Sequence, residues 1–107
     1  TTDDDLAGFE VIVCELHDFA SLGARDMFER VKATLEKLTR QHAPVHLHAN
    51  NCGGLTVVAG VPLPGVLELT LLRRDLDQFP GASDEPIPGK LDRPNNPYAP
   101  DICLRTF

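Results

Sequence analysis

Three pairs of residues in this chain combine reactive side chains with a spacing that would gather them. Glu15 and His17, His46 and His48, and Glu68 and Thr70 each stand two positions apart. Residues two apart on a strand share a face. If the three segments are neighbouring strands, their side chains form one polar field. Imidazole and carboxylate together support two chemistries. They bind zinc, iron or manganese, or they move protons near neutral pH. His17 is the first candidate for an acid–base group. Glu15, His46, His48 and Glu68 are the candidate metal ligands.

The favoured reading of that field is a hydrogen-bonded polar network, because paired carboxylates and imidazoles avoid the cost of being buried alone. A metal is disfavoured. His46-Leu47-His48 resembles only the opening of a cupin metal motif, and Asn50-Asn51-Cys52-Gly53 stands where the following Glu belongs. Position along the strands gives a second set of candidates. In open α/β sheets, ligands sit at the carboxyl ends of the strands. Those ends carry His17, Asn50 and Asn51, so Asn50 and Asn51 are candidate substrate-binding residues. Turn formation competes for both asparagines, since their side chains bond locally.

The elements that would position these groups follow from the apolar pattern. Residues 9–17 contain the continuous run Val11-Ile12-Val13-Cys14 and predict a buried strand. Ala24, Met27, Phe28, Val31, Leu35 and Leu38 recur at steps of three and four, which predicts a helix over 22–42. Ser21 or Asp18 would cap its start, Lys37, Arg40 and His42 would sit at its negative end, and Pro44 would stop it. Residues 45–50 alternate strictly and predict a second strand, with a short β segment at 55–58. Gly60, Pro62, Pro64 and Gly65 predict a turn-rich loop. Residues 66–73 predict a third strand, antiparallel because the connection is too short for a helical crossover. Residues 1–79 therefore form one β-α-β-β unit. Six of the nine prolines fall between Pro80 and Pro100, so 80–107 is expected to be an extended tail, with at most a short strand at 102–104.

Composition removes several function classes. The chain has 107 residues, 42% of them hydrophobic, and a net charge of −6. That charge argues against nucleic acid, whose phosphates need clustered Lys and Arg. Asp3, Asp4 and Asp5 read as a solvated end. No apolar run reaches the ~18 residues of a membrane span, so no membrane partner is expected. Cys14, Cys52 and Cys103 are odd in number and irregularly spaced, which is no disulfide framework and suits a reducing, cytoplasmic compartment.

Several runs resemble a known family. Ile12-Val13-Cys14-Glu15-Leu16-His17, Val45-His46-Leu47-His48-Ala49-Asn50-Asn51 and Leu63-Pro64-Gly65-Val66-Leu67-Glu68-Leu69-Thr70 are similar to the C-terminal part of bacterial methyltransferase-like proteins of the FkbM type. Leu91-Asp92-Arg93-Pro94-Asn95 and Pro100-Asp101-Ile102 resemble the tails of those proteins. The resemblance implies a partial doubly wound, Rossmann-like α/β sheet of the class I methyltransferase kind, with 66–73 as its inserted antiparallel strand. It also implies S-adenosylmethionine as cofactor and a small-molecule acceptor. The glycine-rich turn that binds the cofactor in such folds has no counterpart here. No cofactor-binding residue is therefore carried over to this chain.

Three functions are expected from this reading. The first is the C-terminal portion of a methyltransferase-like domain, an O-methyltransferase by resemblance. It would complete the sheet and shape the acceptor pocket without catalysing alone. The second is a non-catalytic sheet module, associating with itself or with a missing N-terminal half. The third is a small metal- or ligand-binding protein using the His/Glu face.

Overall fold

The computed structural model describes residues 2–17, 24–79, 81 and 83–104. Its elements run in the order α1 (Asp3–Ala7), β1 (Val11–Leu16), α2 (Arg25–Thr39), β2 (His42–Val58), β3 (Val61–Arg73) and a single 3-10 turn (Arg74–Leu76).

The three acidic residues at the start build α1. Thr2 and Asp5 form a reciprocal cap: the Asp5 N–H donates to Thr2 Oγ1 at 3.1 Å and the Thr2 N–H to Asp5 Oδ2 at 2.9 Å. Their negative charges also suit the positive end of the helix. Arg40, at the far end of α2, donates to Asp3 at 2.8 Å and ties the two helices together.

α2 follows the apolar stripe of Met27, Val31, Leu35 and Leu38, which are half-buried, while Phe28 stays exposed. It begins three residues later than the sequence predicts and ends three residues earlier. The expected caps Ser21 and Asp18 lie outside the described residues. His42 belongs to no helix end. It opens β2 fully buried, and its Nε2–H donates to the Phe9 carbonyl at 2.8 Å. Its Nδ1 is buried without a hydrogen-bond partner among the described residues.

The sheet corrects the expected fold class. It has three strands in the order β1-β3-β2, and both pairings are antiparallel. It is not the doubly wound, Rossmann-like sheet that the resemblance implied. β1 and β2 point the same way but never hydrogen-bond, because β3 lies between them. A doubly wound fold needs a hydrogen-bonded parallel core with helices on both faces. Here α2 covers one face and the C-terminal segment lies on part of the other.

Two segments read as loops from the sequence are strand. β2 runs from His42 to Val58 as one strand, with register shifts at Pro44/His46 and Asn50/Leu55 that absorb the Asn-Gly stretch. Pro62 and Pro64 pair with Val57 and Leu55 inside β3. They are tolerated because β1 pairs only with Leu67–Leu72, so no described strand needs a backbone donor from this half of β3 on that side. The turn between β2 and β3 is Ala59-Gly60, both at positive φ (50° and 81°), as a two-residue hairpin of the right-handed twist requires. Gly65 is needed where it stands. A Cβ there would strike the Gly53 carbonyl of the facing strand.

The core is thin. Among the described residues, the buried apolar side chains are Ala43, Ala49, Pro64, Leu69 and Leu71. On the helix side, Leu16, Leu47, Leu67 and Leu69 face Leu35 and Thr39 across a cavity of about 590 Å³. A second cavity of about 380 Å³ continues along α2 past Phe28 and Leu63. Residues 102–104 form no strand. The Leu104 N–H donates to the Ile87 carbonyl at 2.8 Å.

Candidate functional site

Strand register decides which polar groups meet. Glu15 lies opposite Glu68, and Glu68 lies opposite His48. One row across the sheet, on the face away from α2, therefore reads Glu15, Glu68, His48. The next row is Val13, Thr70, His46. Period-two alternation alone delivers this grouping.

Two glutamates side by side repel. Each finds a partner on its outer side. His17 Nε2–H donates to Glu15 Oε2 at 3.2 Å. Asn95 Nδ2–H donates to Glu68 Oε1 at 2.9 Å, and His48 Nδ1 lies 3.7 Å from Glu68 Oε2.

His48 is the centre of the site. It is buried, and its Nε2–H is shared by the two carboxylate oxygens of Asp101 at 3.1 and 2.9 Å. Burial opposes a charge on this ring. The Asp101 hydrogen bond and the charges of Asp101, Asp92 and Glu68 outweigh it, so the His48 pKa is raised above the ordinary histidine value. His46 donates to Asp92 Oδ1 at 2.8 Å. Burial pushes the Asp92 carboxyl up, but the Gly89 N–H, at 2.7 Å, and the His46 ring more than reverse this and hold it below the usual carboxylate range.

Asn51 completes the arrangement. Its Oδ1 accepts the Asn96 N–H at 2.7 Å, and its Nδ2 donates to the carbonyls of Asn96, Ala99 and Pro100 at 3.1, 3.4 and 3.2 Å. One amide thus holds a whole turn of the C-terminal segment.

The sequence candidates therefore separate. Asn51, His46, His48 and Glu68 all bind the C-terminal segment. Asn50 bonds locally within β2, its Oδ1 accepting the Cys52 N–H at 2.9 Å. His17 is exposed and one step beyond the Leu16–Leu67 pair. It shares an end of the sheet with Asn50 but is separated from it by the width of β3, roughly 10 Å. No catalytic pair of His17 with either asparagine forms. Among the described residues, no three His, Cys, Asp or Glu side chains converge as a metal would require. Burial pushes the Cys14 thiol up, which works against a nucleophilic thiolate there.

Asp92, Asp101, Asn95 and Asn96 were not singled out as site residues. Their signal was the tail-like motifs Leu91–Asn95 and Pro100–Ile102, which the resemblance included without assigning them a role.

Gly53 and Gly65 do not form a turn that would receive S-adenosylmethionine. Gly53 lets β2 lie against Val66, whose Cγ2 would stand 2.8 Å from an added Cβ, and Gly65 lets β3 lie against Gly53. Both serve strand contact, and neither opens a helix N-terminus that would receive a charged ligand. No helix among the described residues is long and apolar enough to cross a membrane. Comparison of the chain with family models, with curated proteins and with solved structures finds no match in any of the three.

Proposed function

We propose that this chain is a non-catalytic sheet-completing module whose joining surface is the open edge of β1. The observation that carries this reading is the state of that edge. β1 pairs with β3 on one side and with no described strand on the other. Phe9, Val11 and Val13 are 58%, 51% and 72% exposed on it. An edge strand of a self-sufficient protein is normally blunted by charge, proline or a bulge; β1 has neither proline nor bulge, and its one charge, Glu15, stands near its end. Added strands dock on such edges through backbone hydrogen bonds, with alternate side chains setting specificity. The thin core agrees, since few apolar side chains among the described residues are fully buried and apolar surface is left to bury against a partner.

The resemblance extends the reading. The partner would be the cofactor-binding part of a methyltransferase-like protein, and S-adenosylmethionine and the acceptor would belong to that partner. The three unpaired cysteines suit a cytoplasmic setting.

In isolation the unfinished edge pairs with itself, so sedimentation velocity over a concentration series is expected to show association. Val13→Lys is expected to return a monomer with unchanged far-ultraviolet circular dichroism. A wild-type chain that stays monomeric throughout would overturn the proposal. Titration with S-adenosylmethionine in a calorimeter is expected to give no heat, and tight binding to this chain alone would contradict the assignment of the cofactor to the partner.

A further inference from the structure

Every hydrogen bond described between residues 89–104 and the sheet involves a side chain. His46 holds Asp92, His48 holds Asp101, Glu68 holds Asn95, and Asn51 holds Asn96 to Pro100. The segment carries few backbone bonds of its own, those of Asp92 to Gly89, Ala99 to Asn96 and Leu104 to Ile87. It is therefore fastened to the rest of the molecule at discrete points, two of which are imidazole–carboxylate pairs.

We propose that residues 89–104 are a pH-released strap, locked by His48–Asp101, which covers His48, Asn51 and Glu68 when closed and uncovers them when His48 loses its proton.

The groups facing His48 are all acidic or neutral. Glu68 lies 3.7 Å from its Nδ1 on β3, Asp101 of the strap accepts from its Nε2 at 2.9 Å, and Asp92 of the strap, bonded to His46, adds its charge from farther away. Its neighbour on β2, His46, is already engaged by Asp92. The strap has two cations, Lys90 and Arg93, and the Arg93 guanidinium donates to the Lys90 and Asp92 carbonyls. When His48 is protonated, its charge lies between the Asp101 and Glu68 carboxylates. When it is neutral, that attraction is gone and the strap is held by its neutral hydrogen bonds and by His46–Asp92.

The sign follows from the direction of each shift. A histidine whose pKa is raised in the closed state contributes fully below the ordinary value, about 6.5, and its contribution is lost as pH rises through the raised value. The depressed Asp92 contributes above the ordinary carboxyl range and loses its contribution as pH falls through the lowered value. The strap is therefore tightest in mildly acidic solution. It opens on the alkaline side through His48 and, far lower, on the acid side through Asp92.

Hydrogen–deuterium exchange of the intact chain tests this, with protection of 89–104 referred to an unstructured peptide at each pH. Protection is expected to fall by up to about tenfold per pH unit as pH rises from about 6.5 to the raised His48 value, and to level off above it at a floor set by the neutral hydrogen bonds. Protection of Leu67–Leu72 in β3 should be unchanged. His48→Gln is expected to be weakly protected and flat with pH. Asp101→Asn, which keeps the shape of the lock and removes its charge, is expected to shrink the alkaline step even where His48→Gln fails to fold. Protection of the wild-type segment that stays constant while His48 titrates would overturn the proposal, as would an alkaline step of undiminished size in Asp101→Asn.

Discussion

The two edges of this sheet are finished in opposite ways. β2 carries Pro44, which removes a backbone donor, and two register shifts that break the regular ladder. Its side chains His46, His48 and Asn51 are occupied by the C-terminal segment. β1 is six residues of unbroken register with no proline and no bulge, and Val11 and Val13 are exposed on it, as is Phe9 just before it. Both strands contact the same central strand, so neither difference comes from the neighbour. What differs is whether the chain's own later residues return to cover the strand. They return to β2, and among the described residues they do not return to β1.

The comparison breaks most completely at the strand both edges share. Leu71 is fully buried and sits opposite Ile12 on one side and Pro44 on the other. Leu71→Ala is expected to cost about 2–5 kcal/mol and to loosen both edges together, as a shifted denaturation midpoint would show. Asp101→Ala should act on one edge alone. It leaves His48 buried without its acceptor and is expected to cost about 1–3 kcal/mol, with exchange rising in 89–104 and β1 unaffected. His17→Gln removes an exposed pair with Glu15, both near half-exposed, and is expected to change stability by less than about 1 kcal/mol. A larger loss would mean that His17 has a role the structure does not give it. Smallest in stability is Val13→Lys, within about 0.5 kcal/mol, because Val13 already faces solvent. Its effect belongs to association, which sharpens the contrast between an edge that folds the protein and an edge that joins it to another.

The elements with a single strong period were legible in the residues. The steps of three and four between Met27 and Leu38 locate α2, and the apolar run Val11–Cys14 locates β1. Alternation likewise put Glu15, Glu68 and His48 on one face before any register was known. β2 was cut short because Asn50, Asn51, Gly53 and Gly54 are turn residues by local preference, and only pairing with β3 keeps the chain extended through them. Pro62 and Pro64 misled in the same way, since proline argues against a strand unless that stretch has a free edge. The larger error concerned the fold class. A β-α-β-β order is compatible with a doubly wound sheet, but the antiparallel strand between β1 and β2 is a tertiary choice that the local pattern does not encode. Asp92 and Asp101 were hidden for a related reason. They lie in a proline-rich segment with no apolar period, and their partners stand 46 and 53 residues away.

The central claim is that β1 is the unfinished side, and backbone exchange measures it directly. Hydrogen–deuterium exchange of the wild-type chain at low and high protein concentration is expected to show new protection at Val11–Leu16 as concentration rises, with no change at His46–Asn51. Protection of β1 that does not depend on concentration, or that grows equally on β2, would contradict the account.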